Sequence, residues 1–372
     1  MNIKYCGTFT DSSGYGQANR TDIAAFYLNG LNVTTERISQ MSDRSSNYGW
    51  MGSIASQLEN RQIDYKIKFI HLTPDLYPAY IEKGKYNIGR LFWETDRLPK
   101  EWVNPCNKVD EIWTLSEPQA EMIRKSGVTV PIKCFPQAID ISLAELNLTP
   151  FIVPNFDGFI FYSIFQWILR KNPEALVKTY LKTFEGYNDV CLVLKTYGTN
   201  YSEKEFSRIK DEIARWKRDL KQTHFPKIYL IDRVMTTEEL FRVHLMGDAY
   251  INTSCGEGNG IPVVEAALMG KPIISTDTTG FADYFPKDIY YPVPAVPVQA
   301  TQVPTIPWYT SEMQWLDIDR KKLGEAMLEV YNNQAIAKKR GRQAQDFVRD
   351  NFNFWKVGQD MKQRLEEIEK FI

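Results

Sequence analysis

With 372 residues and 43% hydrophobic content, the chain is too long for one ordinary domain and has apolar residues enough for two full cores. A formal net charge of −1 and a pI near 6.4 exclude a generally basic nucleic-acid binder, although a local basic groove stays open. Five scattered cysteines without a C-x-x-C pair exclude a disulfide framework or a zinc site and predict reduced thiols.

No repeat or low-complexity tract interrupts the chain. The opening MNIKYCGTF lacks a signal-peptide pattern, and no apolar run approaches membrane-spanning length. These features predict a cytoplasmic protein without an integral membrane segment. Peripheral attachment stays open, although no strongly basic amphipathic helix supports a tight one.

In chain order, Ile3–Phe9 predicts a strand and Gln17–Leu28 a helix closed by Asn29-Gly30. Gly14-Tyr15-Gly16 falls between them, where its N–H groups either face a phosphate or acceptor or simply make a tight turn. Lys66–His71, Asn87–Trp93 and Glu111–Leu115 predict further strands, and Ser116 with Gln119 caps a helix to about Lys125. Trp93-Glu94-Thr95-Asp96 ends one of these strands, and its acids either reach a ligand or cap the following helix. Trp93, Trp102 and Trp113 read as core, and His71 as an ordinary loop or core histidine. Asp140–Asp157 reads as a linker, which places the domains at 1–150 and 151–353.

The second half alternates strand and helix more clearly. Phe159–Phe165 is a continuous apolar run typical of a buried parallel strand, and Asn172 with Pro173 opens a helix to about Phe184. Arg170-Lys171 lies just before that helix, where the dipole disfavours cations, so the pair calls for an anion. Strand Val190–Lys195, a charged helix Ser202–Leu220 and strand Lys227–Ile231 follow. Thr236 and Glu239 make a capping-box pattern for a helix ending at Gly247. Asp248–Thr253 and Pro272–Thr276 are strands on either side of a glycine loop and a short helix. Residues 292–307, with five prolines, predict a long loop, and Phe354–Ile372 an amphipathic helix. Such alternation implies an α/β fold with parallel sheets, whose ligands sit beyond the carboxyl ends of the strands.

The loop and helix of Ser254–Lys271 (SCGEGNGIPVVEAALMGK) carry the most chemistry. Gly258 and Gly260 permit close backbone approach, Pro262 fits a first helical turn, and Gly270 stops the helix before Pro272. The free N–H groups of this loop and helix form an anion site. Glu257 precedes that site and Glu265 lies within the first helical turns. Each carboxylate can accept from two neighbouring hydroxyls, which suits a ligand with phosphate in the middle and sugars at both ends. A nucleoside diphosphate sugar has that shape.

The same string resembles the E-x7-E signature of family 4 retaining glycosyltransferases, commonly written E-G-F-G-x-P-x-x-E-A with G-x-P following. Glu257, Gly258, Gly260, Pro262, Glu265, Ala266, Gly270 and Pro272 match it, while Asn259 stands where an aromatic residue is usual. The resemblance implies a GT-B fold, in which two Rossmann-like domains face each other across a cleft. Residues 1–150 would be the acceptor domain, with helix 354–372 packing back on it, and 151–353 the donor domain.

By the same resemblance, Glu257 would hold hydroxyls of the transferred sugar and Glu265 the ribose diol. Loop and helix groups of Gly258, Asn259, Gly260, Ile261 and Val263, with Gly14 and Gly16, would surround the donor diphosphate. Lys171 matches the family lysine; the family arginine about six residues earlier is missing, and Arg170 would replace its charge. Lys195 would assist, and backbone near Val234 would meet the base. Many members carry a histidine near Trp93, but His71, His224 and His244 all fall elsewhere, so Glu94, with Asp96 beside it, takes that role.

The implied reaction is retaining, metal-independent transfer of a hexose by same-face substitution, with Glu257, Glu94 and Lys171 as the catalytic set. No D-x-D motif stands at a strand end, and no cofactor is expected beyond the nucleoside diphosphate sugar, UDP being favoured over GDP. The acceptor could be a glycan, a protein, a lipid-linked sugar or a modified DNA base. Two other readings stay open: a nucleotide-sugar epimerase or hydrolase on the same fold, and a non-catalytic partner subunit that binds the sugar nucleotide. Oligomeric state has no signal in the sequence.

Overall fold

The computed structural model describes residues 1–11, 13–38, 48–301, 303 and 306–372. The chain divides into two compact units, Met1–Ile141 with Arg349–Ile372, and Ser142–Val348.

The first unit begins with β1 (Asn2–Gly7), α1 (Gly14–Leu28), β2 (Asn32–Arg37), α2 (Gly49–Gln57) and β3 (Ile67–His71). It continues through α3 (Tyr77–Tyr80), β4 (Tyr86–Arg90), α4 (Lys100–Cys106), β5 (Glu111–Thr114), α5 (Glu117–Lys125) and β6 (Ile132–Cys134). Its six strands form one parallel sheet in the order β2-β1-β3-β4-β5-β6. Parallel pairing requires crossovers that cover the sheet faces, so β3 and β5 are buried along their whole length. Tyr5, Phe26, Phe69, Ile88 and Trp113 meet in the core, and Trp93 and Trp102 are buried as well.

Asp22 of α1 is fully buried between His71 Nδ1 at 3.2 Å and Arg90 Nε at 3.3 Å, with the Gln137 amide donating to its other oxygen at 3.1 Å. Burial acts to raise the Asp22 carboxyl, but Arg90 and His71 outweigh it and hold it below the usual value. Burial pushes His71 down, against the pull of Asp22. Both folded pKa values lie below their unfolded ones, so the unfolded chain binds more protons in each window and stability rises with pH. Stability should therefore fall below about pH 6.5 and again below about pH 4. Asp22→Ala, which strands the buried Arg90, should cost about 3–5 kcal/mol. Urea midpoints across this pH range test both statements, and a flat profile between about pH 8 and 5 would refute the histidine contribution.

The second unit contains β7 (Phe159–Gln166), α6 (Pro173–Thr183), β8 (Val190–Tyr197), α7 (Glu203–Leu220), β9 (Lys227–Ile231) and α8 (Thr237–Met246). Then come β10 (Ala249–Asn252), α9 (Ile261–Leu268), β11 (Ile273–Thr276), β12 (Tyr291–Val293), β13 (Ala295–Gln299), β14 (Gln314–Ile318), α10 (Arg320–Asn332) and α11 (Gln334–Asn351). Six of its strands make a parallel sheet in the order β12-β11-β10-β7-β8-β9. Thr236 and Glu239 form the expected capping box on α8.

The long loop expected at 292–307 is instead partly strand. Tyr291–Val293 extends the sheet, and Ala295–Gln299 pairs antiparallel with β14, while residues 302, 304 and 305 lie outside the described residues. Proline misled the reading because Pro297 sits in a two-stranded ribbon, where a strand edge tolerates a missing N–H.

The last helix, α12 (Phe354–Glu369), belongs to the first unit, where Phe354, Val357, Met361 and Leu365 join the core beside α1. Asn29, at the end of α1, donates to the Phe354 carbonyl at 2.9 Å and accepts from Lys362 at its own carbonyl at 3.0 Å. Among the described residues, no helix is long and apolar enough to cross a membrane.

Candidate functional site

In the second unit's sheet the chain runs outward from β7 through β8 to β9, then returns to β10 on the other side of β7. The loops after β7 and β10 therefore leave neighbouring strands in opposite directions, which is the crevice where open α/β sheets bind ligands. Arg170-Lys171 lies on the first loop and Glu257 on the second.

These two loops are joined. The Cys255 N–H donates to the Arg170 carbonyl at 2.7 Å, and the Thr253 hydroxyl donates to the carbonyls of Lys171 and Asn172 at 3.1 Å. The Arg170 guanidinium donates to the Gly256 carbonyl at 2.5 Å. Asn172 takes the left-handed conformation (φ 52°), tolerable for asparagine, and its side chain accepts from the Ala175 N–H to cap α6. Leu316 of β14 donates to the Cys255 carbonyl at 2.8 Å, so the proline-bearing ribbon buttresses the same loop.

The anion that the Arg170-Lys171 pair demanded is in the protein itself. Lys171 Nζ lies 2.5 Å from Glu257 Oε1, and Arg170 Nη1 lies 3.5 Å from Oε2. Burial acts to raise the Glu257 carboxyl, but Lys171 and Arg170 outweigh it and hold it ionised, below its usual value. The cations alone thus do not require a diphosphate, contrary to the sequence argument. The three charges sum to +1, so the cluster still favours an anion.

Behind the cluster, Thr279 pins the Glu257 backbone. Its hydroxyl accepts from the Glu257 N–H at 3.0 Å and donates to the Glu257 carbonyl at 2.9 Å. A Cβ on Gly280 would meet Glu257 Cβ at 2.9 Å and the Asn259 carbonyl at 3.0 Å, so only glycine fits there. Thr279 and Gly280 escaped the sequence reading, because only their tertiary contact with the glutamate loop reveals them.

Gly260 adopts φ 85° as the N-cap of α9, which begins with Ile261 and Pro262. The Val263 N–H already donates to the Gly260 carbonyl at 2.8 Å. Asn259, at the position usually aromatic, instead accepts from the Tyr284 hydroxyl, while its carbonyl receives the Phe281 N–H at 2.8 Å. Glu265 lies on α9, buried, with His244 Nε2 at 3.7 Å. Lys195 lies within β8, which runs on to Tyr197, and is buried, its amine pushed down to about 8 by burial and by Arg233, with Nζ 4.8 Å from the Tyr201 ring centre. Val234 follows β9 in an exposed segment.

In the first unit two expectations need correction. Gly14-Tyr15-Gly16 is no loop but the first turn of α1, because Ser13 caps the helix earlier than expected. The Gly16 N–H is taken by the Ser13 hydroxyl at 3.0 Å. Strand β4 stops at Arg90, so Trp93–Asp96 lies in the irregular segment after it. The N-cap position of α4 is held by Pro99, so neither Glu94 nor Asp96 occupies it. Glu94 does lie near α1: the Tyr15 phenol is pushed up by burial and by the Glu94 carboxylate. The Tyr15 ring rests edge-on against buried His71, 5.0 Å between centres.

No family model and no curated protein matches the chain. Solved structures do. Sucrose-phosphate synthase from Thermosynechococcus elongatus superposes with a TM-score of 0.70 at 13% identity, over 100% of this chain and 99% of that one. Anabaena HepE, solved with UDP and glucose, gives 0.68 at 13% identity, over 99% and 100%. A variant of TarM from S. aureus, solved with fondaparinux, alpha-GlcNAc-glycerol and UDP, gives 0.57 at 16% identity over 80% of this chain. The chain spans about half of TarM's length, 54%. At these identities the likeness concerns the fold, which is the α/β fold of the GT-B glycosyltransferases, with two Rossmann-like parallel sheets of six strands each.

Proposed function

We propose that the chain is a retaining, metal-independent glycosyltransferase that moves a hexose from a UDP-sugar to an acceptor hydroxyl. The observation that carries this reading is the meeting of Lys171, Arg170 and Glu257 at the crossover between β7 and β10. An anionic ligand there finds cations beside a buried, ionised carboxylate that can accept from sugar hydroxyls. Glu265, on the following helix, would take the ribose diol, and backbone near Val234 the base. Lys171 and Arg170 would stabilise the charge that develops on the leaving diphosphate, which is electrostatic catalysis by groups already in place. Uracil is favoured because HepE and TarM were solved with UDP. Glu94 would act on the donor sugar, and Lys195 would assist. The acceptor would be a glycan, a protein or a lipid-linked sugar.

A thermal-shift panel of UDP, GDP, ADP and TDP sugars tests this. The UDP-sugar should stabilise the wild type by about 2.7 kcal/mol at a hundredfold excess over Kd, and Glu265→Ala should abolish the shift. No shift with any nucleotide would refute the donor site.

A further inference from the structure

His244 lies in the last turn of α8 and is wholly buried. Its Nδ1 is 2.9 Å from the Tyr162 hydroxyl on β7, and its Nε2 is 3.7 Å from Glu265 Oε2 on α9. Burial pushes the Tyr162 phenol far up, so the hydroxyl keeps its proton and is available to donate to Nδ1. The imidazole proton then sits on Nε2, on the side of the carboxylate. At 3.7 Å the carboxylate lies beyond hydrogen-bond range, and among the described residues Nε2 has no hydrogen-bond partner. A histidine placed only for packing would be expected to spend that N–H on a nearby carbonyl. Here the buried donor instead faces the acid proposed to hold the ribose.

We infer that His244, set in its tautomer by Tyr162, is a positioning residue that orients the Glu265 carboxylate toward the 2′- and 3′-hydroxyls of the nucleotide. A carboxylate oxygen has two lone pairs, so Oε2 can accept from Nε2–H and still receive a ribose hydroxyl. The arrangement makes the site selective for ribonucleotides. The inference rests on the proposed donor site, and its test separates the two.

Kd values for UDP and 2′-deoxy-UDP are to be measured by calorimetry on the wild type, His244→Leu, His244→Gln and Tyr162→Phe. The wild type should prefer UDP by about 10–100-fold, the range for hydrogen bonds to a charged group. Equal binding of the two nucleotides by the wild type would overturn the donor-site reading itself. With that preference present, His244→Leu should bring the ratio close to one by weakening UDP far more than 2′-deoxy-UDP, which keeps only its 3′-hydroxyl contact to lose. His244→Gln, whose amide can present an N–H near the same place, should restore most of the ratio. A ratio unchanged in His244→Leu, or an equal loss of both nucleotides, would overturn the positioning role. Should the leucine variant fail to fold, Tyr162→Phe removes only one hydroxyl, and an undiminished ratio there overturns the inference.

Discussion

Lys171→Ala is expected to lower sugar transfer by about 10²–10³-fold, the usual cost of removing one charge-stabilising donor from an active site. The resting Lys171 is held 2.5 Å from Glu257, and an incoming diphosphate must take over that contact. As the sugar–phosphate bond breaks, negative charge grows on the leaving group, and the ammonium is worth most at that moment. Glu257→Gln should give a different pattern. It raises the cluster from +1 (two cations and one carboxylate) to +2, so UDP alone should bind more tightly, by about tenfold. Transfer should nevertheless fall by about 10²-fold, because the amide keeps only one acceptor oxygen and loses the charge that holds the sugar hydroxyls. Initial rates with the UDP-sugar and calorimetric Kd values for UDP separate the two effects. Should Glu257→Gln weaken UDP instead, the carboxylate does not compete with phosphate for Lys171.

The parts of this site that were legible are those in which each residue meets a local demand. Pro262 in a first turn, Gly260 at φ 85° and Gly270 at φ 68° follow from backbone geometry, so the glutamate loop and α9 could be placed before any coordinates. The buried strands β7 and β8 were legible as apolar runs because parallel sheets are covered on both faces. Strand β2, Asn32–Arg37, was not: its buried side chains are Val33, Thr34 and Thr35, and the two threonines read as polar although their branched Cβ suits a sheet. The start of α1 was missed because Gly14 and Gly16 are weak helix formers, and the Ser13 cap outweighs them. The counter-charge of Lys171 lies 86 positions away, and the Glu265–His244 pair joins two different helices. No window of sequence contains either contact. Both arise from strand order, which composition and periodicity leave undetermined.

Arg364→Ala should destabilise the first unit by about 3–5 kcal/mol. Glu111 of β5 is fully buried, and Arg364 of α12 grips it with two parallel contacts, Nη2 to Oε2 at 2.6 Å and Nε to Oε1 at 3.1 Å. Trp113 and Tyr86 also donate to that carboxylate, at 2.7 and 3.2 Å, but neither carries charge. Truncating the arginine leaves the buried Glu111 carboxylate without its counter-charge, and the penalty is that of a stranded buried charge. Arg364→Lys keeps the charge but loses the planar fork, so it should cost less, about 1–2 kcal/mol. Lys356→Ala on the same helix is the control. Its pair with Asp360, at 2.7 Å, is about half exposed on both sides, where such contacts contribute about 0–1 kcal/mol. Urea midpoints of the three variants decide what holds α12. If Arg364→Ala costs no more than Lys356→Ala, the apolar stripe of Phe354, Val357, Met361 and Leu365 holds the helix without the ion pair.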